Sequence, residues 1–125
     1  MANTLCYWEL ASHDAAKSSK FFEEVFGWKF EYDKNSTIYD LRVEEDQKPF
    51  GGGIFTLQNA KLPFLTLYIL VDDIKAKVKK IEECGGLITI PPTVPFPGGP
   101  VICLFNEPSG VTFAMLERPS KPNRG

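Results

Sequence analysis

Apolar and polar side chains alternate over residues 5–11. Cys6, Trp8 and Leu10 point one way, and Tyr7, Glu9 and Ala11 point the other. This is the period of a strand with two different faces. Past residue 13 the period lengthens. Ser18, Phe21, Phe22 and Val25 fall at i, i+3, i+4 and i+7, which predicts a helix with these four on its packed face. Asp14, or Ser12 just before it, is placed to accept from the exposed N–H groups of the first turn. Gly27 is expected to end the helix, because glycine enters the left-handed conformation without a Cβ clash. Strands are then expected at about 28–33, 37–44 and 51–57, with turns at Asn35-Ser36 and over EEDQKP (44–49).

The same order then recurs. LTLYILV (65–71) reads as a strand. Asp72 or Asp73 caps a second helix whose Ile74, Val78 and Ile81 share a face, while Lys75, Lys77, Lys79 and Lys80 take the solvated side. Gly85-Gly86 stops it, and strands follow at about 87–90, 100–105 and 111–117. Asp14 to Gly27 spans 13 residues, and so does Asp72 to Gly85. The chain therefore reads as two copies of strand–helix–strand–strand–strand, an α+β repeat that decides the architecture. Neither copy is expected to close a core alone, so one domain over 4–118 is expected, with module one at about 4–57 and module two at about 64–117. QNAKLP (58–63) is a short connector, and 119–125 is a polar tail expected to fray.

Composition narrows the function. The chain has 125 residues, 43% apolar and 24% charged, with a net charge of −2. That suits a single globular domain. No basic stripe supports nucleic-acid binding. No apolar run reaches the roughly 18 residues of a membrane span, and the N-terminal segment lacks the pattern of a signal peptide. The cysteines are three and widely spaced, Cys6, Cys84 and Cys103, which fits neither a disulfide framework nor a zinc knuckle. A reduced, cytoplasmic protein is expected.

The stretches FFEEVFGWKF, YILVDDIKAKVKKIEECGG and FNEPSGVTFAMLE, taken in this order, resemble the vicinal oxygen chelate superfamily of glyoxalases, bleomycin resistance proteins and extradiol dioxygenases. CYWEL, VFGW, GGGIF, VDD and the proline-rich IPPTVPFPGG are similar to its glyoxalase-like subgroup related to lactoylglutathione lyase. The resemblance covers about residues 5–117. It implies two tandem βαβββ modules forming one glyoxalase-like domain around a U-shaped mixed-sheet cleft. It also implies a capacity to pair as a homodimer, with an interface the sequence does not mark. In metal-dependent members the ligands sit on the first and last strands of each module. Those positions fall here on Tyr7, about Phe55 (or Thr56), Thr66 and Ala114. None is the imidazole or carboxylate that the family's divalent ions take, so no metal and no other cofactor is expected.

The remaining chemistry points to the cleft. Glu9 shares a face with Tyr7 and reads either as a general base or as a strand carboxylate held by an arginine or by tyrosine hydroxyls. Arg42, on a strand where Asp40 shares its face, reads as a surface ion pair or as an anchor for an anionic ligand. Tyr7, Thr66 and Tyr68 either line a ligand wall or fill a module interface. Phe96, in the loop 91–100, is a candidate lid over the cleft, or part of a rigid connector. His13 and Asp14 read as a loop histidine and a helix cap. Cys103 reads as core. The glycines 51–53 precede a strand rather than a helix, which argues for close packing or a bulge rather than an anion cradle. The expected function is binding of a small organic molecule without metal. The alternatives are a lyase or isomerase of the same superfamily, lactoylglutathione-lyase-related and with Glu9 as base, and a non-catalytic interaction module.

Overall fold

A computed structural model describes residues 3–42, 51–58 and 62–119. The expected turn over 44–49, the end of the strand drawn to 44, residues 59–61 of the connector and the tail from 120 lie outside the described residues. The chain resolves into two compact units. One comprises Leu5–Tyr68, and the other runs from Ile69 onward and includes Asn3 and Thr4. Among the described residues, eight strands and two helices follow the predicted order of two βαβββ modules.

In the first unit β1 (Leu5–Ser12) leads into α1 (Ala15–Phe26), followed by β2 (Phe30–Asp33), β3 (Ile38–Leu41), β4 (Gly51–Thr56) and most of β5 (Phe64–Leu70). The hydrogen-bonded order is β2-β3-β4-β1-β5. Asp14 is the N-cap, and its carboxylate accepts from Lys17 N at 3.1 Å. Gly27 ends α1 at φ 73° and donates to Glu23 O, as its sequence position implied. The packed face of α1 differs from expectation. Ala15 and Ser19 are its buried residues, whereas Phe21 and Val25 are more than half exposed, at 54% and 56%. Small side chains let the helix approach the sheet closely, which turns the 15–19–22 line inward and leaves Phe21 and Val25 at the rim. Phe22 stacks on Trp28 (centroids 5.0 Å, 12°), and Trp28 meets Trp8 at 5.9 Å. The Trp8 face of β1 is thus the one covered by aromatic packing from the helix side. Tyr7 and Glu9 face the other way.

The second unit contains the end of β5, α2 (Ile74–Glu83), β6 (Leu87–Thr93), β7 (Val101–Asn106) and β8 (Thr112–Glu117), with strand order β8-β7-β6. Beside β8, Val71 N donates to Leu116 O at 2.9 Å. Asp73 caps α2 through Ala76 N at 3.1 Å. The predicted helix face packs inward: Val71, Ile74, Cys103 and Met115 form the core, with Val78 and Ile81 against it. Strand β6 runs three residues further than expected, through Pro91 and Pro92 to Thr93. It stands at the end of the strand order, where a missing N–H leaves no partner wanting. Its register also shifts between Ile90 and Thr93, where the prolines sit. The closing EPSG segment makes the β7–β8 hairpin, in which Glu107 accepts from Ser109 N at 3.0 Å and from Val111 N at 2.8 Å. Among the described residues no helix is long and apolar enough to cross a membrane.

Candidate functional site

Three strands of the first unit bring one polar cluster together. In the parallel β1–β4 pair, Tyr7 stands opposite Gly51 and Glu9 opposite Gly53. In the antiparallel β3–β4 pair, Asp40 also stands opposite Gly53. Glu9 and Asp40 therefore flank one glycine in a single row, roughly 10 Å apart at their Cα atoms by two strand spacings. Paired residues share a face, so both carboxylates and Tyr7 lie on the face opposite the Trp8 packing. A Cβ on Gly53 would overlap the Tyr7 hydroxyl and Ile38 Cγ2. The gap it leaves lets the Tyr7 phenol cross β4 and donate to Asp40 Oδ1 at 3.0 Å. Gly52 does the same on the reverse face, where a Cβ would meet the Trp8 indole. The glycine run is thus a seat for two aromatic side chains of β1. This is the close packing that its place in a strand suggested.

β5 supplies the fourth member. Tyr68 donates to Glu9 Oε1 at 2.6 Å, and its ring meets Tyr7 edge-on with centroids 5.7 Å apart. Thr66, two residues earlier, shares this face by the strand period and is buried. Tyr68 is 6% exposed, while Tyr7, Glu9 and Asp40 are partly exposed.

Burial sets the electrostatics. The Glu9 carboxyl is raised above its ordinary 4.5 by desolvation, opposed by the Tyr68 hydrogen bond and reinforced by the charge of Asp40. Asp40 is raised above 3.8 by desolvation, opposed by Tyr7, with the charges of Asp33 and Glu31 adding to the rise. Both phenols are pushed up, first by burial and then by the carboxylates they face. Each tyrosine therefore keeps its proton and stays a donor. Glu9 is the group best placed to exchange one.

The other expected site residues have local partners of their own. Arg42 follows β3, is exposed, and lies 3.9 Å from Glu31. Its ion pair is with Glu31 rather than with Asp40 or Glu9. Phe96 belongs to the second unit, in the turn after β6, where Gly99 N donates to Phe96 O at 2.9 Å and the ring lies against Gly99. His13 is exposed beside the α1 cap, at a surface recess with Leu10, Lys17, Phe21 and Phe22. Cys103 is fully buried in the second core, and burial raises its thiol. Sequence reasoning passed over Asp40 and Gly53 as site residues. The available signal was the glycine run next to a strand bearing Tyr7 and Trp8, since a glycine in a strand marks close approach.

The family's metal does not fit the residues present. The four ligand positions carry the phenol of Tyr7, the phenyl of Phe55, the hydroxyl of Thr66 and the methyl of Ala114. The Tyr7 hydroxyl is committed to Asp40, and Ala114 offers no donor atom. Divalent ions of this family want imidazole or carboxylate at these places.

Comparison with known proteins settles the class. Residues 4–115 match the Glyoxalase/Bleomycin resistance protein/Dioxygenase superfamily, and the chain belongs to it. A glyoxylase-like domain-containing protein of Didymella fabae is 28% identical over 123 residues, covering 90% of this chain and 92% of that protein. The anthracycline biosynthesis protein DnrV of Streptomyces peucetius is 26% identical over 129 residues, covering 90% of this chain and 46% of its own length. Among solved structures, methylmalonyl-CoA epimerase from Mycobacterium tuberculosis superposes with a TM-score of 0.67 at 12% identity, over 95% of this chain and 90% of that one. That likeness is one of fold.

Proposed function

We propose that the chain binds a small organic molecule without metal, and that the Tyr7–Asp40 and Glu9–Tyr68 pairs form the polar end of its site. The observation that carries this reading is the pair of carboxylate–phenol hydrogen bonds, 3.0 and 2.6 Å, on one face of the first unit. Taking two carboxylates partly out of water is unfavourable unless they are hydrogen-bonded. A sheet that needed only a core would place apolar side chains there. The test is a fragment screen by ligand-observed and protein-observed NMR, with Glu9→Gln, Asp40→Asn and Tyr7→Phe alongside the parent. Hits that shift the amides of β1 and β3 and weaken in these variants support the reading. Hits unaffected by all three variants would remove the cluster from the site.

A second reading rests on the raised Glu9 carboxyl. A base whose conjugate acid is weakened by burial suits proton transfer to and from carbon. The fold is shared with an epimerase, which by its name inverts a stereocentre of methylmalonyl-CoA, and a lyase or isomerase of lactoylglutathione-lyase type belongs to the same class of chemistry. In this reading Glu9 takes the proton, while Tyr68 steadies the carboxylate before and after. Incubation of bound hits in D2O separates the two readings. Deuterium entering at carbon with the parent and not with Glu9→Gln marks an enzyme, whereas binding without exchange marks a binding domain.

A further inference from the structure

We propose that Thr66 sets the specificity of this site, its hydroxyl donating to the carbonyl oxygen of an uncharged bound molecule. This rests on the preceding reading that the face carrying Tyr7, Glu9 and Asp40 is a small-molecule site. It adds the residue that selects the ligand and the ligand's chemical class.

Thr66 lies on β5, within the first unit and two residues before Tyr68. It therefore stands on the face from which Tyr68 reaches Glu9, about 7 Å from Tyr68 along the strand. The residue is only 3% exposed, yet its hydroxyl makes no hydrogen bond among the described residues. Among those residues, every side-chain nitrogen or oxygen sealed from the molecular surface has a partner. The Thr66 hydroxyl is therefore not sealed, and the small surface that the residue keeps includes this oxygen. A position that needed only packing would suit valine, which has the same branched shape and no hydroxyl to take out of water. Packing alone thus gives no reason for the hydroxyl.

The surroundings decide what it can bind. The phenol protons of Tyr7 and Tyr68 are committed to Asp40 and Glu9, whereas the Thr66 proton is free to turn. A donor on the ligand would go to the carboxylates, which are the stronger acceptors. The hydroxyl is left for an acceptor. That acceptor is uncharged, because Glu9 and Asp40 share the face and Asp40 already acts on Glu9 through its charge. A carboxylate or phosphate brought among them would be repelled. A carbonyl oxygen meets both conditions, being neutral and an acceptor only. The Tyr7 and Tyr68 rings, edge to face at 5.7 Å, add aromatic surface for a flat body.

Acetophenone, ethylbenzene and benzoate share one ring and differ in the group offered to Thr66. Each is titrated into the full chain and into its Thr66→Val and Thr66→Ser variants, with 15N–1H chemical shifts read at β1, β3 and β5. Thr66→Val should weaken acetophenone about tenfold and leave ethylbenzene unchanged. Thr66→Ser, which keeps the hydroxyl, should hold acetophenone within about threefold of the parent. Benzoate should bind the parent at least about tenfold more weakly than acetophenone. Without any probe, Thr66→Val should melt no lower than the parent, since it removes a hydroxyl that has no partner. A melting temperature lowered by more than about 3 °C would reveal a partner inside the fold and overturn the assignment. Acetophenone binding Thr66→Val as tightly as the parent, or both neutral probes weakened alike, would overturn the role of Thr66 and leave the site standing. Benzoate as tight as acetophenone would overturn the uncharged class. Failure of all three to shift these strands would overturn both the assignment and the site.

Discussion

Replacing Gly53 with alanine should strike the site and the fold at one point. The new methyl meets the Tyr7 hydroxyl and Ile38 Cγ2, and it sits 3.3 Å from Asp40 Oδ1. Strand β4 is held on both sides, by β1 and β3, so the backbone has little room to yield and Tyr7 must swing away. The phenol then loses its bond to Asp40, a hydrogen bond to a charged group worth about 1.5–3 kcal/mol, taken at the lower end because both side chains are partly exposed. Crowding against Ile38 costs about 1–3 kcal/mol more, and the stiffer unfolded chain returns about 0.4–1 kcal/mol. The net loss should be about 2–3 kcal/mol. Urea unfolding followed by far-UV circular dichroism measures it as a lower midpoint at unchanged slope. The decisive comparison is the same substitution in a Tyr7→Phe background, where the clashing oxygen is gone. There the alanine should cost about 1.5 kcal/mol less, the remainder being Ile38. Equal costs in the two backgrounds, within about 0.5 kcal/mol, would mean that Gly53 does not exist to seat the Tyr7 hydroxyl.

Three further outcomes are expected. Because Glu9 is raised above 4.5 in the folded state, the folded chain holds that proton more tightly than the unfolded one. The stability it lends is full below the unfolded value and is lost as pH rises through the folded value. Glu9→Gln should therefore gain in melting temperature relative to the parent as pH climbs from about 4 toward neutrality, and a difference that is flat or falls with pH would refute the raised carboxyl. Asp14→Ala and Asp73→Ala each remove a cap bond of 3.1 Å, so each should cost about 1 kcal/mol; circular dichroism melts check both, and a cap variant as stable as the parent would deny its role. In a timed iodoacetamide pulse read by peptide mass spectrometry, exposed Cys84 should label first. Cys103, buried and raised by burial, should label only on unfolding, and early labelling of Cys103 would contradict the packing of the second core.

What was legible in the sequence was local. The alternation of β1, the capping aspartates, Gly27 and the 13-residue repeat each depend on neighbours a few positions away, and the elements formed where they indicated. The face assignment of Glu9, Tyr7 and Tyr68 also follows from a period of two. The partnerships were not legible. That Asp40 meets Tyr7 depends on β4 lying between β3 and β1 and on Gly53 falling in their common row, which only strand order and register decide. Arg42 could not be assigned to Glu31 for the same reason. The inward turn of α1 was misjudged because a hydrophobic count favours Phe21 and Val25. Close packing favoured Ala15 and Ser19, whose small size leaves no mark on an apolar pattern.

The aromatic stack on the reverse face of β1 has an optical consequence. Both tryptophans of the chain, Trp8 and Trp28, belong to the first module and sit 5.9 Å apart, and the second module has none. Tryptophan fluorescence is therefore a private signal of one repeat, while the ellipticity of the backbone sums over two. Recorded on the same sample, the two traces tell whether the duplicated halves melt as one cooperative body or in succession, with no label introduced.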